Sequence, residues 1–263
     1  MKAILLSILV TVVSMGAAAS TIPEATLRTI RFDQKIGSRV SADLVFRDES
    51  GAPVKLGDFL GRKPVILVPG YYGCPMLCTL VLNGLIETLQ DLRMNVGDQF
   101  EVVNFSINPA ETPALAAAKK HAYLRSYGRP GAEQGWKFLT GDEASIEQLT
   151  DEIGFRYAYD STIKQYAHPS GFVVLTPGGK VSRYFFGVDF SAKDLDSALV
   201  AASRSETGSP IQQLFLLCFH YSPITGKYGQ LIMNTVRLCG IGTLASLGLI
   251  IGRSIARERT HKA

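Results

Sequence analysis

Residues 42–56 alternate apolar and polar positions (Ala42, Leu44, Phe46, then Val54 and Leu56) around Asp48-Glu49-Ser50-Gly51, the pattern of a β-hairpin. Lys63-Pro64-Val65-Ile66-Leu67-Val68 is a short apolar run of buried-strand type, and Pro69-Gly70-Tyr71-Tyr72-Gly73 ends it. From residue 75 to 92 the apolar positions recur with helical spacing (Leu77, Leu80, Val81, Leu85, Leu89, Leu92) and stop at Asn95-Val96-Gly97. Residues 100–107 form a second apolar run, closed by Asn108-Pro109. Thr112 as a cap and Pro113 at the first helical position predict a helix to about Tyr127. A further helix is predicted from Asp142-Glu143 to Ile153. Residues 171–176 and 181–186 flank Pro177-Gly178-Gly179-Lys180 and predict a second hairpin, and Ser191 caps a last helix reaching about Ala202.

The order is hairpin, β, α, β, α, α, hairpin, α. Alternation of this kind predicts an α/β fold, a mixed sheet with helices on both faces. The β-α-β unit from residue 64 to 107 predicts two parallel neighbours joined by a right-handed crossover. No internal repeat is visible. Residues 204–210 (Arg204-Ser205-Glu206-Thr207-Gly208-Ser209-Pro210) read as a linker.

Outside this region the pattern changes. Residues 1–19 carry one basic residue, Lys2, an apolar run, and the small residues Ala17-Ala18-Ala19. That is the anatomy of a cleaved secretory signal peptide. Residues 231–251 are apolar apart from one charge, Arg237, and are long enough to cross a hydrocarbon core of about 30 Å. The tail that follows holds Arg253, Arg257, Arg259 and Lys262 against Glu258. By the positive-inside rule the tail is cytoplasmic and the main domain extracytoplasmic, the periplasmic side of a bacterial inner membrane. The chain thus divides into a signal peptide (1–19), a folded domain (20–205), a juxtamembrane linker (206–230), a transmembrane helix (231–252) and a basic tail (253–263).

This division explains the composition. The chain of 263 residues is 46% hydrophobic and only 19% charged, and its mean hydropathy is +0.15. The excess sits at the two ends. With the leader and the basic tail set aside, the formal charge of +4 falls to near neutral. No basic stripe remains to bind nucleic acid.

The candidate chemistry is in the cysteines. Cys74-Pro75-Met76-Leu77-Cys78 stands where a buried strand becomes a helix. Spacing i, i+4 on a helix brings two side chains to one face, with Cβ atoms about 5–6 Å apart. Two thiolates so placed suit one soft metal ion; a disulfide is also within reach. A helix N-terminus favours the thiolate in either case. A metal needs a further ligand. His261 lies in the tail, and His121 sits beside Lys119 and Lys120 on a solvated helix face. His168 lies in a loop, Gln165-Tyr166-Ala167-His168-Pro169-Ser170-Gly171, just before a strand. Cys218 and His220 could chelate a metal only if their segment is extended. Cys239 in the apolar span reads as a small apolar residue.

Together, Cys74-Pro-x-x-Cys78 after a buried strand, a strand ending in Asn108-Pro109-Ala110-Glu111-Thr112-Pro113, and His168 ninety residues beyond Cys78 resemble the Sco/SenC family over about residues 38–202. The resemblance implies a thioredoxin-like fold and a copper ion held by Cys74, Cys78 and His168. It also implies a role in assembling the binuclear copper centre of cytochrome c oxidase, with the copper-bearing oxidase subunit as partner. The chain departs from the family pattern at Thr79, where proline is usual. It departs again in the loop usually written Asp-Pro-x-x-Asp-Thr-Pro, which is here Asn108-Pro109-Ala110-Glu111-Thr112-Pro113, and at Ala167 and Pro169, which flank the histidine in place of Asp and Ser. Its anchor is C-terminal where familiar members have an N-terminal one.

The functional expectation is a membrane-tethered copper chaperone that delivers copper to, or reduces the cysteines of, the oxidase centre. The competing class is an enzyme, an extracytoplasmic thiol–disulfide oxidoreductase cycling Cys74 and Cys78 without copper transfer. A thiol peroxidase and a purely structural domain are further alternatives.

Overall fold

The computed structural model describes residues 29–74, 77–161, 164–207, 237–243 and 246–248, with only the backbone of Leu77 and Cys78. The strands are β1 (Arg31–Phe32), β2 (Val45–Arg47), β3 (Pro53–Lys55), β4 (Val65–Gly70), β5 (Glu101–Ser106), β6 (Trp136–Leu139), β7 (Phe155–Arg156), β8 (Ala158–Asp160), β9 (Gln165–Ala167), β10 (Gly171–Leu175) and β11 (Val181–Phe186). The helices are α1 (Leu77–Asp91), α2 (Pro113–Tyr127), the single turn α3 (Ala132–Gly135), α4 (Glu143–Ile153) and α5 (Ala192–Ser203).

Five strands form the central sheet in the order β11-β10-β4-β5-β6. β4, β5 and β6 run parallel, while β10 is antiparallel to both β4 and β11. Alternate side chains of each strand point to opposite faces, and the two faces bury separate apolar clusters. Ile66, Val68, Val102, Phe172 and Val174 pack with α1, α2 and α5. Val65, Leu67, Val103, Phe105, Val173 and Leu175 pack with α4 and the β2–β3 hairpin. This is the expected mixed sheet with helices on both faces.

Capping residues start three of the helices at the expected points. Thr112 Oγ1 accepts from Leu115 N at 3.3 Å, with Pro113 opening α2. Asp142 Oδ1 accepts from Ser145 N at 2.7 Å, and Ser191 Oγ from Asp194 N at 3.3 Å. Each satisfies an N–H that the helix itself cannot pair.

The order read from the sequence lacked one element of the main sheet. Between α3 and α4 the chain inserts β6, whose four residues Trp-Lys-Phe-Leu complete the parallel run. The β2–β3 hairpin fastens itself to this strand. Glu49 Oε1 accepts from Phe138 N at 2.8 Å, Arg47 and Thr140 exchange backbone hydrogen bonds, and Lys120 of α2 pairs with Glu49 at 3.0 Å.

Among the described residues no helix is long and apolar enough to cross a membrane. The expected signal peptide, the tail with His261, and Cys218 and His220 lie outside the described residues, as does most of the expected span. Within that span, 237–243 and 246–248 are helical and exposed, Cys239 included.

Candidate metal centre

The carboxyl ends of the parallel strands β4 and β5 face the same way. Loops leaving such ends form the usual crevice for a ligand in α/β sheets. β4 ends at Gly70 and passes through Tyr71, Tyr72 and Gly73 to Cys74. Cys74 is buried, and its N–H donates to Tyr71 O at 3.3 Å. It is not helical, so the helical i, i+4 geometry expected for the pair does not extend to it. α1 begins three residues later, with Cys78 in its first turn.

His168 lies between β9 and β10, and the structure buries it to 6% exposure, where a lone loop histidine would ordinarily be solvated. Its ring meets Tyr71 edge-on at 5.9 Å and packs against Phe155 at 5.8 Å. Nδ1 lies 2.8 Å from Pro169 O. A carbonyl has no proton to give, so Nδ1 carries it and Nε2 is the basic nitrogen. An imidazole oriented through Nδ1–H to a backbone carbonyl is the common arrangement of histidine metal ligands. Gly171, at φ +140°, lets the chain turn from this loop into β10; a Cβ there would lie 2.2 Å from Phe185 O.

Tyr71 links the two halves. Its carbonyl accepts from Cys74, and its ring meets both His168 at 5.9 Å and Tyr166 at 5.6 Å. A cavity of about 20 Å³ lies here, lined by Gly70, Tyr71, Val81, Leu82, His168 and Pro169 among others. That is room for little more than one water-sized group. Tyr166 and Tyr157 are pushed above the ordinary tyrosine value by burial, Tyr157 to about 12. Both stay neutral through the physiological range.

Tyr72 anchors the cysteine loop from below. Its hydroxyl reaches Leu139 O at 2.8 Å, with Asn104 O at 3.3 Å. Burial first, then the charges of Glu111 and Glu49, holds this phenol well above its usual pKa, so it remains a donor. Tyr72→Phe is expected to lower stability by about 1–2 kcal/mol, the cost of leaving a buried carbonyl without its partner. Urea unfolding checks this; an unchanged midpoint at equal slope would remove the anchor from the account.

The structure thus places His168 against the Tyr71 ring and Cys74 three residues beyond Tyr71, bonded to its carbonyl, while the cavity beside His168 is lined without Cys74 and the Cys78 side chain lies outside the described residues. His121 is exposed on α2, as expected of a solvated face. Among the described residues no three His, Cys, Asp or Glu side chains cluster as a metal site. The sequence reading quoted Glu111 and Tyr71 within motifs but gave neither a role, and it did not single out Phe155. Of these only Glu111 left a signal, as an acid in the loop at the carboxyl end of a parallel strand.

A family model described as SCO1/SenC matches residues 33–202, well over half the chain. The chain belongs to the SCO1/SenC family. Solved structures agree with this SCO1/SenC fold. A protein described as an electron transfer protein from Aquifex aeolicus VF5 is 28% identical, with a TM-score of 0.57 over 65% of this chain and 96% of that one. The copper-bound ScoI of Arabidopsis thaliana gives 18% identity and a TM-score of 0.50 over 65% and 99%. BsSco, described as a member of the Sco family of cytochrome c oxidase assembly proteins, gives 21% and 0.51 over 65% and 98%. At those identities the last two speak for the fold alone: a thioredoxin-like mixed sheet flanked by helices. No curated protein sequence matches the chain.

Proposed function

We propose that this SCO1/SenC protein is a membrane-tethered copper chaperone, holding Cu(I) with Cys74, Cys78 and His168 and serving the assembly of the copper centre of a cytochrome c oxidase. The observation that carries the reading is His168: a buried imidazole, oriented through Nδ1, on the same tyrosine as Cys74. The donor set fits the metal. Two thiolates are soft ligands of the kind that select Cu(I) over hard cations, and a neutral imidazole also suits copper. The ScoI of Arabidopsis was solved with copper bound, and BsSco belongs to a family of oxidase assembly proteins. The tether rests on the apolar run 231–251 and its basic tail, a charge pattern that supports a domain outside the cytoplasm.

The chain's own contribution is to bury and orient the imidazole and to carry Cys74 on the loop that Tyr71 opens, with Cys78 in the first turn of α1. Metal uptake releases the thiol protons, so affinity rises with pH. The decisive experiment measures copper stoichiometry and a thiol–disulfide titration on the reduced chain, beside Cys74→Ser and Cys78→Ser. The expected result is about one Cu(I) per chain, lost in either variant. A chain that takes up no copper yet cycles the two cysteines at a potential typical of exchange proteins would instead be an oxidoreductase.

A further inference from the structure

Glu111 lies in the loop between β5 and α2, half-buried, and both of its oxygens are engaged. Oε2 accepts from Tyr72 N at 2.7 Å and from Ser106 Oγ at 2.6 Å; Oε1 accepts from Gly73 N at 2.6 Å. Two successive amides of the cysteine loop are thus gripped by one carboxylate immediately before Cys74. Hydrogen bonds to a charged acceptor are about twice as strong as neutral ones. Gly73 leaves space for the approach, since a Cβ there would lie 3.2 Å from Oε1. The same loop reaches the histidine side. Asn108 Oδ1 lies 3.5 Å from Tyr166 OH, Tyr166 packs on Tyr71, and Tyr71 on His168.

We propose that Glu111 is a positioning residue: its carboxylate fixes the Tyr72–Gly73 amides and thereby the place of Cys74 relative to His168. The assignment rests on the copper-site reading above for its functional consequence. It does not require Glu111 to touch the metal, and it depends on two acceptor oxygens at the right reach rather than on charge alone. A glutamine in its place presents an NH₂ to one of the two amide protons. An aspartate keeps the charge but is one methylene too short to span both.

The test uses the full chain, wild type beside Glu111→Gln and Glu111→Asp, titrated with Cu(I) against a competing chelator, together with hydrogen exchange at the Tyr72 and Gly73 amides. Both variants are expected to bind Cu(I) about tenfold or more weakly, the usual effect of losing a group that orients a ligand. The two amides should exchange about tenfold faster or more, while amides of α5 stay near wild type. Cu(I) affinity within about twofold of wild type in both variants overturns the proposal. So does wild-type behaviour of Glu111→Asp beside a defective Glu111→Gln, which would make charge alone the cause. If neither variant folds, Gly73→Ala, which crowds Oε1, should show the same loss in smaller measure, and wild-type affinity there overturns the proposal. If the wild type itself takes up no copper, the reading of the site as a copper centre fails on its own. The positioning role then stands or falls on amide exchange, and unchanged rates at Tyr72 and Gly73 end it.

Discussion

Replacement of His168 by alanine is expected to lower Cu(I) affinity by roughly a hundredfold or more, beyond the usual effect of losing a mere orienting group. It should also cost stability, because the ring is not a surface loop ornament. It fills space between Tyr71 and Phe155 at centroid distances of 5.9 and 5.8 Å, and truncating a buried ring leaves a cavity worth about 1–3 kcal/mol. The two losses separate in a second variant. His168→Phe supplies a ring and no ligand nitrogen, so most of the stability should return and none of the affinity. Chelator competition reads the first quantity and denaturant unfolding the second. Wild-type affinity in His168→Phe would sink the ligand assignment.

The largest effect on stability is expected at Trp136. Its side chain is fully buried, its Nε1 donates to Asn104 Oδ1 at 2.7 Å, and its ring meets Tyr127 and Phe138 at 5.7 and 6.1 Å. Trp136→Ala removes the indole and leaves a buried amide oxygen without its donor. The expected loss is about 3–5 kcal/mol, a fall in melting temperature on the order of 10 °C for a domain of this size. Trp136→Phe should recover the packing part and retain the cost of the unpaired Asn104. A loss below about 1 kcal/mol in the alanine variant would mean that the slot refills by collapse.

Helices were legible where a residue type has one physical use. Thr112 with Pro113, Asp142 and Ser191 each announce a helix start because few residues can satisfy the first free amides. β6 was not legible: four residues between Gly135 and Thr140 are too few for a period to show, and their burial comes from β5 and α2. The cysteine motif and His168 stood out in the sequence, but the burial of His168 did not. It depends on Tyr71 and Phe155, which are 97 and 13 residues away along the chain. Glu111 was visible as a loop acid, but its grip on the cysteine loop was hidden for the same reason. Its role exists only once two loops at the strand ends meet, and no local pattern encodes that meeting.

The fastening of the hairpin tip to β6 has a consequence for how partners meet this protein. β6 is the short outer strand of the sheet, and an outer strand ordinarily offers its main-chain groups to any extended segment that passes. Here the Phe138 amide is given to Glu49, and both main-chain groups of Thr140 are given to Arg47. An extended segment arriving at that border finds these groups already taken, which works against its joining as a sixth strand and, equally, against edge-to-edge pairing of two copies.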